Sequence, residues 1–132
     1  MDAALQQMIW ERAGHRCEYC QVPADTTLLP FQIDHIIAEK HGGLSTADNL
    51  ALSCERCNSH KGPNIAGFLD GVHVPLFSPR KDSWTDHFEW AGPLLIGKTS
   101  IGKVTIEVLA INLPYRIALR AALIDERIFP PR

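Results

Sequence analysis

Residues 31–61 read FQIDHIIAEKHGGLSTADNLALSCERCNSHK, and the order of residue types in this stretch decides what the rest of the chain must do. Phe31, Ile33 and Ile37, with Gln32 and Asp34 between them, alternate as a half-buried strand does, and Leu50, Ala51 and Leu52 after Asn49 offer it a partner. Lys40 to Asp48 is then the connecting loop, in which Gly42 and Gly43 permit backbone angles that other residues resist. A helix is expected to start near Cys57, with Gly62-Pro63 interrupting it soon afterwards. The predicted unit is strand, loop, strand, helix, with Cys54 and Cys57 at the helix entrance.

Outward from that unit, a second Cys-x-x-Cys stands upstream at Cys17 and Cys20, so two paired-cysteine knuckles bracket the Asp34-His35 segment. Four thiolates in two such pairs are the number and spacing that a tetrahedral structural Zn2+ takes. Two disulfides are the competing reading. Met1 is followed by acidic Asp2 and no apolar run, so nothing directs the chain to an oxidising compartment, and a cytoplasmic location is expected. A redox dithiol would leave the second pair without a role, and free buried cysteines are the plain alternative to zinc.

The chain has 132 residues, 45% of them hydrophobic and 21% charged, which suits one globular domain over 1–132. Its core motif is expected at about 15–68 and a C-terminal extension at about 69–132. No apolar run reaches membrane-spanning length, so no membrane partner is expected. A net charge of −2 and a pI near 6.3 exclude a protein that coats nucleic acid by bulk electrostatics, so any such contact must be local. Arg16, Lys40, Arg56, Lys61, Arg80 and Lys81 could form a local basic patch, or they could be ordinary solvated charges.

The flanks read as support. Residues 2–13 carry Ala4, Leu5, Met8, Ile9 and Trp10 at helical spacing, ended by Gly14. VPLFSPRKDSWTDHFEW predicts an irregular wrap and then a strand, and LLIGKTS a strand and turn. Thr99 or Ser100 can cap a helix through about Ile111, and Asn112-Leu113-Pro114 another through about Asp125. Trp84, His87, Phe88 and Trp90 could stack on bases, but aromatics this dense in a small chain are expected in the core.

DHIIAEKHGGLSTADNLALSCERCN closely resembles the HNH endonuclease motif, the zinc-clamped branch of the ββα-metal (His-Me finger) nucleases. LFSPR, WTDHFEW and IGKTSIGKVTIEVLAIN resemble the tail of small free-standing bacterial proteins of that family. The resemblance implies an α+β fold: a ββα-metal core clamped by a four-cysteine zinc site on Cys17, Cys20, Cys54 and Cys57, with an N-terminal helix and a C-terminal strand/helix extension. It further implies a metal-dependent endonuclease that hydrolyses phosphodiester bonds of DNA, with His35 as general base. Asp34 and Asn58 would hold a catalytic Mg2+ or Mn2+, and Asn49 would steady the loop that carries His35.

The residue chemistry agrees with these roles. An imidazole exchanges protons near neutral pH and can take one from water, and a carboxylate with an amide oxygen makes a hard donor pair for Mg2+ or Mn2+. The third motif position holds Asn58, with His60 two residues later. On a helix His60 is turned about 200° from Asn58 while Lys61 lies about 60° off, so Asn58 is the reading adopted. Neighbouring strand residues point to opposite faces, so Asp34 and His35 can serve one phosphate only where the strand ends or distorts. The alternative is a non-catalytic zinc-ribbon module binding nucleic acid or protein, which would need the cysteines but neither base nor ion ligands. DNA against RNA, nicking against double-strand cutting, oligomeric state, and the roles of His60 and His87 stay open at this level.

Overall fold

A computed structural model describes residues 1–131. Helix α1 (Ala3–Arg12) is capped by Asp2, whose side chain accepts from Leu5 N at 2.8 Å, and the chain leaves it through Gly14 at φ 64°. Ile9 is its one fully buried residue.

The first knuckle follows, and then strands β1 (Gln32–His35) and β2 (Leu50–Ser53) pair antiparallel, with His35 opposite Leu50 and Gln32 opposite Ser53. The strand expected through Ile37 ends two residues early. All four residues of β2 are buried, so β2 is the floor on which the loop and the knuckles rest.

Helix α2 (Glu55–Lys61) begins before Cys57, where sequence placed its start. The cause is local: Cys54 acts as its N-cap, its sulfur accepting from Cys57 N at 3.4 Å, so a knuckle cysteine does what a Ser or Asp usually does. Gly62 ends the helix.

The extension contributes two more hairpins and three helices. Strands β3 (Ala66–Leu69) and β4 (Val72–Pro75) form a hairpin not anticipated above, turned by Asp70 and Gly71 at φ 52° and 77°, the paired positive angles of a type I′ turn. A short α3 (Trp84–His87) leads into the hairpin β5 (Phe88–Ala91) and β6 (Leu94–Gly97), followed by α4 (Ser100–Val108) and α5 (Pro114–Asp125). Helix α4 packs against β3, β4 and β6.

One connected cluster of buried side chains runs from Ile9 through the four cysteines, Tyr19, Leu50 and Leu52 to Phe77, Phe88, Leu95, Val104 and Leu109. The aromatics of the extension are part of this packing, as expected: Phe88 is buried, and Trp84 and Trp90 lie half-buried against it. Their indole N–H groups reach the first knuckle, Trp84 donating to Tyr19 O and Trp90 to Gln21 Oε1, both at 2.9 Å.

Candidate active site

The four cysteines converge from two loops. Their sulfurs lie within 4.8 Å of one another, all buried. Each knuckle is closed by a backbone N–H pointing at sulfur, Cys20 N to Cys17 Sγ and Cys57 N to Cys54 Sγ, at 3.4 Å in both. Cys20 and Cys54 sulfurs are 3.7 Å apart, close to the roughly 3.8 Å edge of a tetrahedron with 2.3 Å metal–sulfur bonds. Helix α5 supplies a charged donor: Arg116 Nη2 lies 2.9 Å from Cys57 Sγ and 3.9 Å from Cys54 Sγ. Its Nη1 donates to Leu109 O at 2.7 Å and Ala110 O at 3.2 Å. Burial pushes the Cys17 and Cys57 thiols well above their usual range, whereas hydrogen bonds from the other three sulfurs hold Cys20 well below it. Four buried sulfurs close enough to share one ion, with a buried guanidinium directed at two of them, are consistent with a zinc site.

The second constellation sits where β1 ends. Asp34 is 5% exposed, and both of its oxygens are engaged. Tyr19 Oη donates to Oδ2 at 2.7 Å, and the Lys61 ammonium lies 3.2 Å from Oδ1 and 3.1 Å from Oδ2. Burial raises the Asp34 carboxyl above the usual carboxylate range, with Lys61 and Tyr19 pulling it back. Burial and the Asp34 charge hold the Tyr19 phenol well above its ordinary value, so Tyr19 remains a donor.

Lys61 also donates to His35 O at 3.1 Å and Ile36 O at 3.2 Å. In a regular strand consecutive carbonyls point in opposite directions, so one ammonium reaching both shows that the chain leaves β geometry at this point. Asp34, buried, and His35, half-buried, still follow the ordinary alternation of a strand, and the departure from it begins at Ile36. His35 is half-buried, and its Nε2 lies 2.8 Å from Ser45 Oγ and 3.2 Å from Glu39 Oε1. Both contacts fall on Nε2, which leaves the Nδ1 edge for another partner.

Asn49 closes the loop. Its Oδ1 accepts from Ile37 N at 2.9 Å, and its Nδ2 donates to Ile37 O at 3.0 Å and Leu44 O at 2.9 Å. The loop is drawn so tight that a Cβ on Gly43 would sit 1.7 Å from Ile37 O and 2.9 Å from Asn49 Nδ2. Gly42, at φ 89°, makes the turn into it. Ser45, the partner of His35, lies on this loop, so Asn49 and Gly43 set where Ser45 stands. A cavity of about 580 Å³ adjoins the loop, lined among others by Ile36, Leu44, Asn49, Lys61, Asn64 and Asp82.

On α2, Asn58 is half-buried, His60 exposed and Lys61 1% exposed. The six basic residues grouped by sequence do not form one patch. Lys61 turns inward, Arg80 pairs with Glu18, and Arg16 donates to Gln21 O at 3.1 Å. Lys40, Arg56 and Lys81 are exposed.

Sequence reasoning missed Tyr19, Ser45, Glu39 and Arg116 as members of these clusters, and read Lys61 as surface. One signal was available for Lys61. Its helical offset from Asn58 places it toward β1, and an inward lysine on a short helix needs a carboxylate. Nothing in the sequence ties Arg116 to cysteines some sixty positions away.

The family model described as HNH endonuclease matches residues 17–64. The chain is also similar to the Septu protein PtuB of Bacillus thuringiensis, 28% identical over 125 residues, which is 93% of this chain and 47% of that protein. The chain thus spans about half the length of that relative. No solved structure gives a significant match. The stretch that holds both knuckles, the Asp34-His35 strand end and the Asn49 bridge is accordingly the part of the chain that matches the HNH endonuclease family model.

Proposed function

We propose that the chain is a metal-dependent endonuclease that hydrolyses phosphodiester bonds of DNA. The observation that carries this reading is His35: half-buried at a broken strand end, its Nε2 engaged by Ser45 and Glu39, and its loop bridged by Asn49. A histidine held by one nitrogen presents the other to a water, and Nδ1 is the atom that takes the proton. With Nε2–H directed at the Glu39 carboxylate, the tautomer with a free Nδ1 lone pair is favoured, and the imidazolium formed on proton uptake keeps a negative partner.

Cys17, Cys20, Cys54 and Cys57 would hold a structural Zn2+. The sulfur spacing and the donors directed at sulfur suit that ion, and its role is to fix the two loops against β2.

Asp34 and Asn58 would hold Mg2+ or Mn2+. The fit is one of donor chemistry and charge: a carboxylate and an amide oxygen are hard donors, and the Asp34 oxygens already surround a positive nitrogen, that of Lys61. Such an ion supplies Lewis-acid stabilisation of the phosphate charge and of the leaving oxygen. The chain's own part is to orient Asp34 through Tyr19 and to deprotonate water at His35.

Among the described residues no helix is long and apolar enough to cross a membrane. A test is cleavage of supercoiled plasmid by the purified protein, with Mg2+, with Mn2+ and with chelator. Relaxed or linear product that requires the divalent ion and disappears in His35→Ala supports the reading. Binding without cleavage under every condition supports instead a zinc-ribbon module that only binds.

A further inference from the structure

Lys61 is a buried cation that occupies the carboxylate a divalent ion would need. Its ammonium is surrounded by four oxygens, the two of Asp34 and the carbonyls of His35 and Ile36, at 3.1 to 3.2 Å. An oxygen cage of this kind is what a hard cation is given. A divalent ion bonds carboxylate oxygen at about 2.0–2.1 Å, so on either Asp34 oxygen it would stand within roughly 4–5 Å of this nitrogen, where two positive charges away from water repel strongly. Both cannot occupy the Asp34 carboxylate in the arrangement described above. Lys61 also has somewhere to go. It lines the cavity of about 580 Å³ that opens beside the loop, together with Asn64, Ser78, Asp48 and Asp82. Asp82 accepts from Ser78 N on Oδ2 and Asp48 from Thr46 Oγ1 on Oδ1, so each carboxylate keeps its other oxygen for an ammonium that leaves Asp34, and a lysine stem is flexible enough to change partners.

We propose that Lys61 is the resident cation of the divalent-ion site: its ammonium holds Asp34 while the ion is absent and withdraws into the adjoining cavity when the ion binds. The inference rests on the reading that Asp34 bears the ion. It gives Lys61 two functions, preserving the strand-end geometry before the ion arrives and setting the ion's affinity by competing for the same carboxylate.

The test uses the zinc-loaded wild-type chain and an amine-acylating reagent, with modification of Lys61 read by peptide mass spectrometry. Without divalent ion Lys61 is protected, while exposed Lys40 and Lys81 react and serve as internal references. Mg2+ at concentrations that support cleavage is expected to raise Lys61 labelling several-fold, leave the references unchanged, and produce no such increment in Asp34→Asn. As a second arm, Lys61→Met is expected to bind Mn2+ at least about tenfold more tightly than the wild type, read by electron paramagnetic resonance, because the competing charge is gone. Lys61 remaining protected while Mg2+ supports cleavage overturns the proposal, as does an unchanged or weaker Mn2+ affinity in a folded Lys61→Met. If Lys61→Met does not fold, the labelling of the wild type decides alone. Absence of both Mg2+-dependent cleavage and Mn2+ binding in the wild type overturns the endonuclease reading itself, and this inference with it.

Discussion

Replacing Arg116 by Met tests whether the C-terminal extension belongs to the cysteine cluster or merely lies beside it. Methionine fills much of the same volume and removes the charge and every donor. Four bonds disappear: to Cys57 Sγ at 2.9 Å, the long one to Cys54 Sγ at 3.9 Å, to Leu109 O at 2.7 Å and to Ala110 O at 3.2 Å. A hydrogen bond to a charged acceptor is worth about 1.5–3 kcal/mol and a buried carbonyl left unpaired about 1–3, so a loss of about 3–5 kcal/mol is expected after partial relaxation. In a chain of this size that corresponds to a Tm lower by roughly 10–20 °C. Zinc release to a chromogenic chelator should accelerate as well, because the sulfur loses the guanidinium that offsets its charge. Arg120→Met is the control. That side chain is equally buried, but its bonds go to Pro93 O at 2.8 Å and Asn112 Oδ1 at 3.0 Å, with none to sulfur. It should lower Tm without a matching effect on zinc release. Equal release rates from the two variants, or an Arg116→Met protein melting within a degree or two of wild type, would refute the argument.

Other outcomes follow from the same geometry. His35→Ala should lower the cleavage rate by about 10²–10⁴ with zinc content and Tm unchanged, since it removes the base and nothing buried; a variant cutting at the wild-type rate contradicts the assignment. Asn49→Ala removes three hydrogen bonds on a partly exposed loop, for about 1–3 kcal/mol, and should speed hydrogen exchange across residues 36–48 while lowering kcat more than KM; unchanged exchange there would show that the loop is held by other means. Asn58→Ala should lose activity with partial recovery at high Mn2+, whereas exposed His60→Ala should keep most of it; the reverse pattern would move the third motif position to His60.

The elements written in local pattern were the legible ones. Asp2 and Gly14 bounded α1, Leu50 to Leu52 marked β2, and the two cysteine pairs announced a buried cluster, because each signal lies within a few residues of what it specifies. The β3–β4 hairpin carries a readable Asp70-Gly71 turn, yet Pro75 and the aromatic stretch after it suggest irregular chain and mask the signal. What could not be read is long-range and polar. Tyr19 meets Asp34, Arg116 meets Cys57 and Trp84 meets Tyr19 only after the extension has folded back on the knuckles, and sequence spacing says nothing about such meetings. The same limit explains why Lys61 and Arg80 group with surface charges in the sequence. A buried cation is recognised by its anion, and both anions are distant in sequence.

The buried cations Arg116 and Lys61 differ in type, and the difference follows from charge counting. Four thiolates around Zn2+ keep a net charge of about −2, which Arg116 reduces without being in the way of any ligand. A guanidinium that never loses its proton, fixed by two carbonyls, suits a cluster that stays closed. Asp34 with Lys61 is already neutral. A divalent ion added there leaves an excess positive charge until the ammonium retreats or a phosphate arrives, so weak ion affinity in the free protein and tighter binding with substrate belong to the same balance. On the reading that Asp34 bears the ion, the site needs a mobile point charge there and not a fixed fork. Lys61→Arg is therefore expected to keep the positive charge and the fold, yet to hold Asp34 through two parallel bonds that an ion cannot displace. The variant should melt near the wild type, retain zinc, and need far more Mg2+ for half-maximal cleavage. Melting, zinc content and a Mg2+ titration of plasmid cleavage measure all three, and a folded Lys61→Arg protein with the wild-type Mg2+ requirement would show that mobility at this position is not what the site requires.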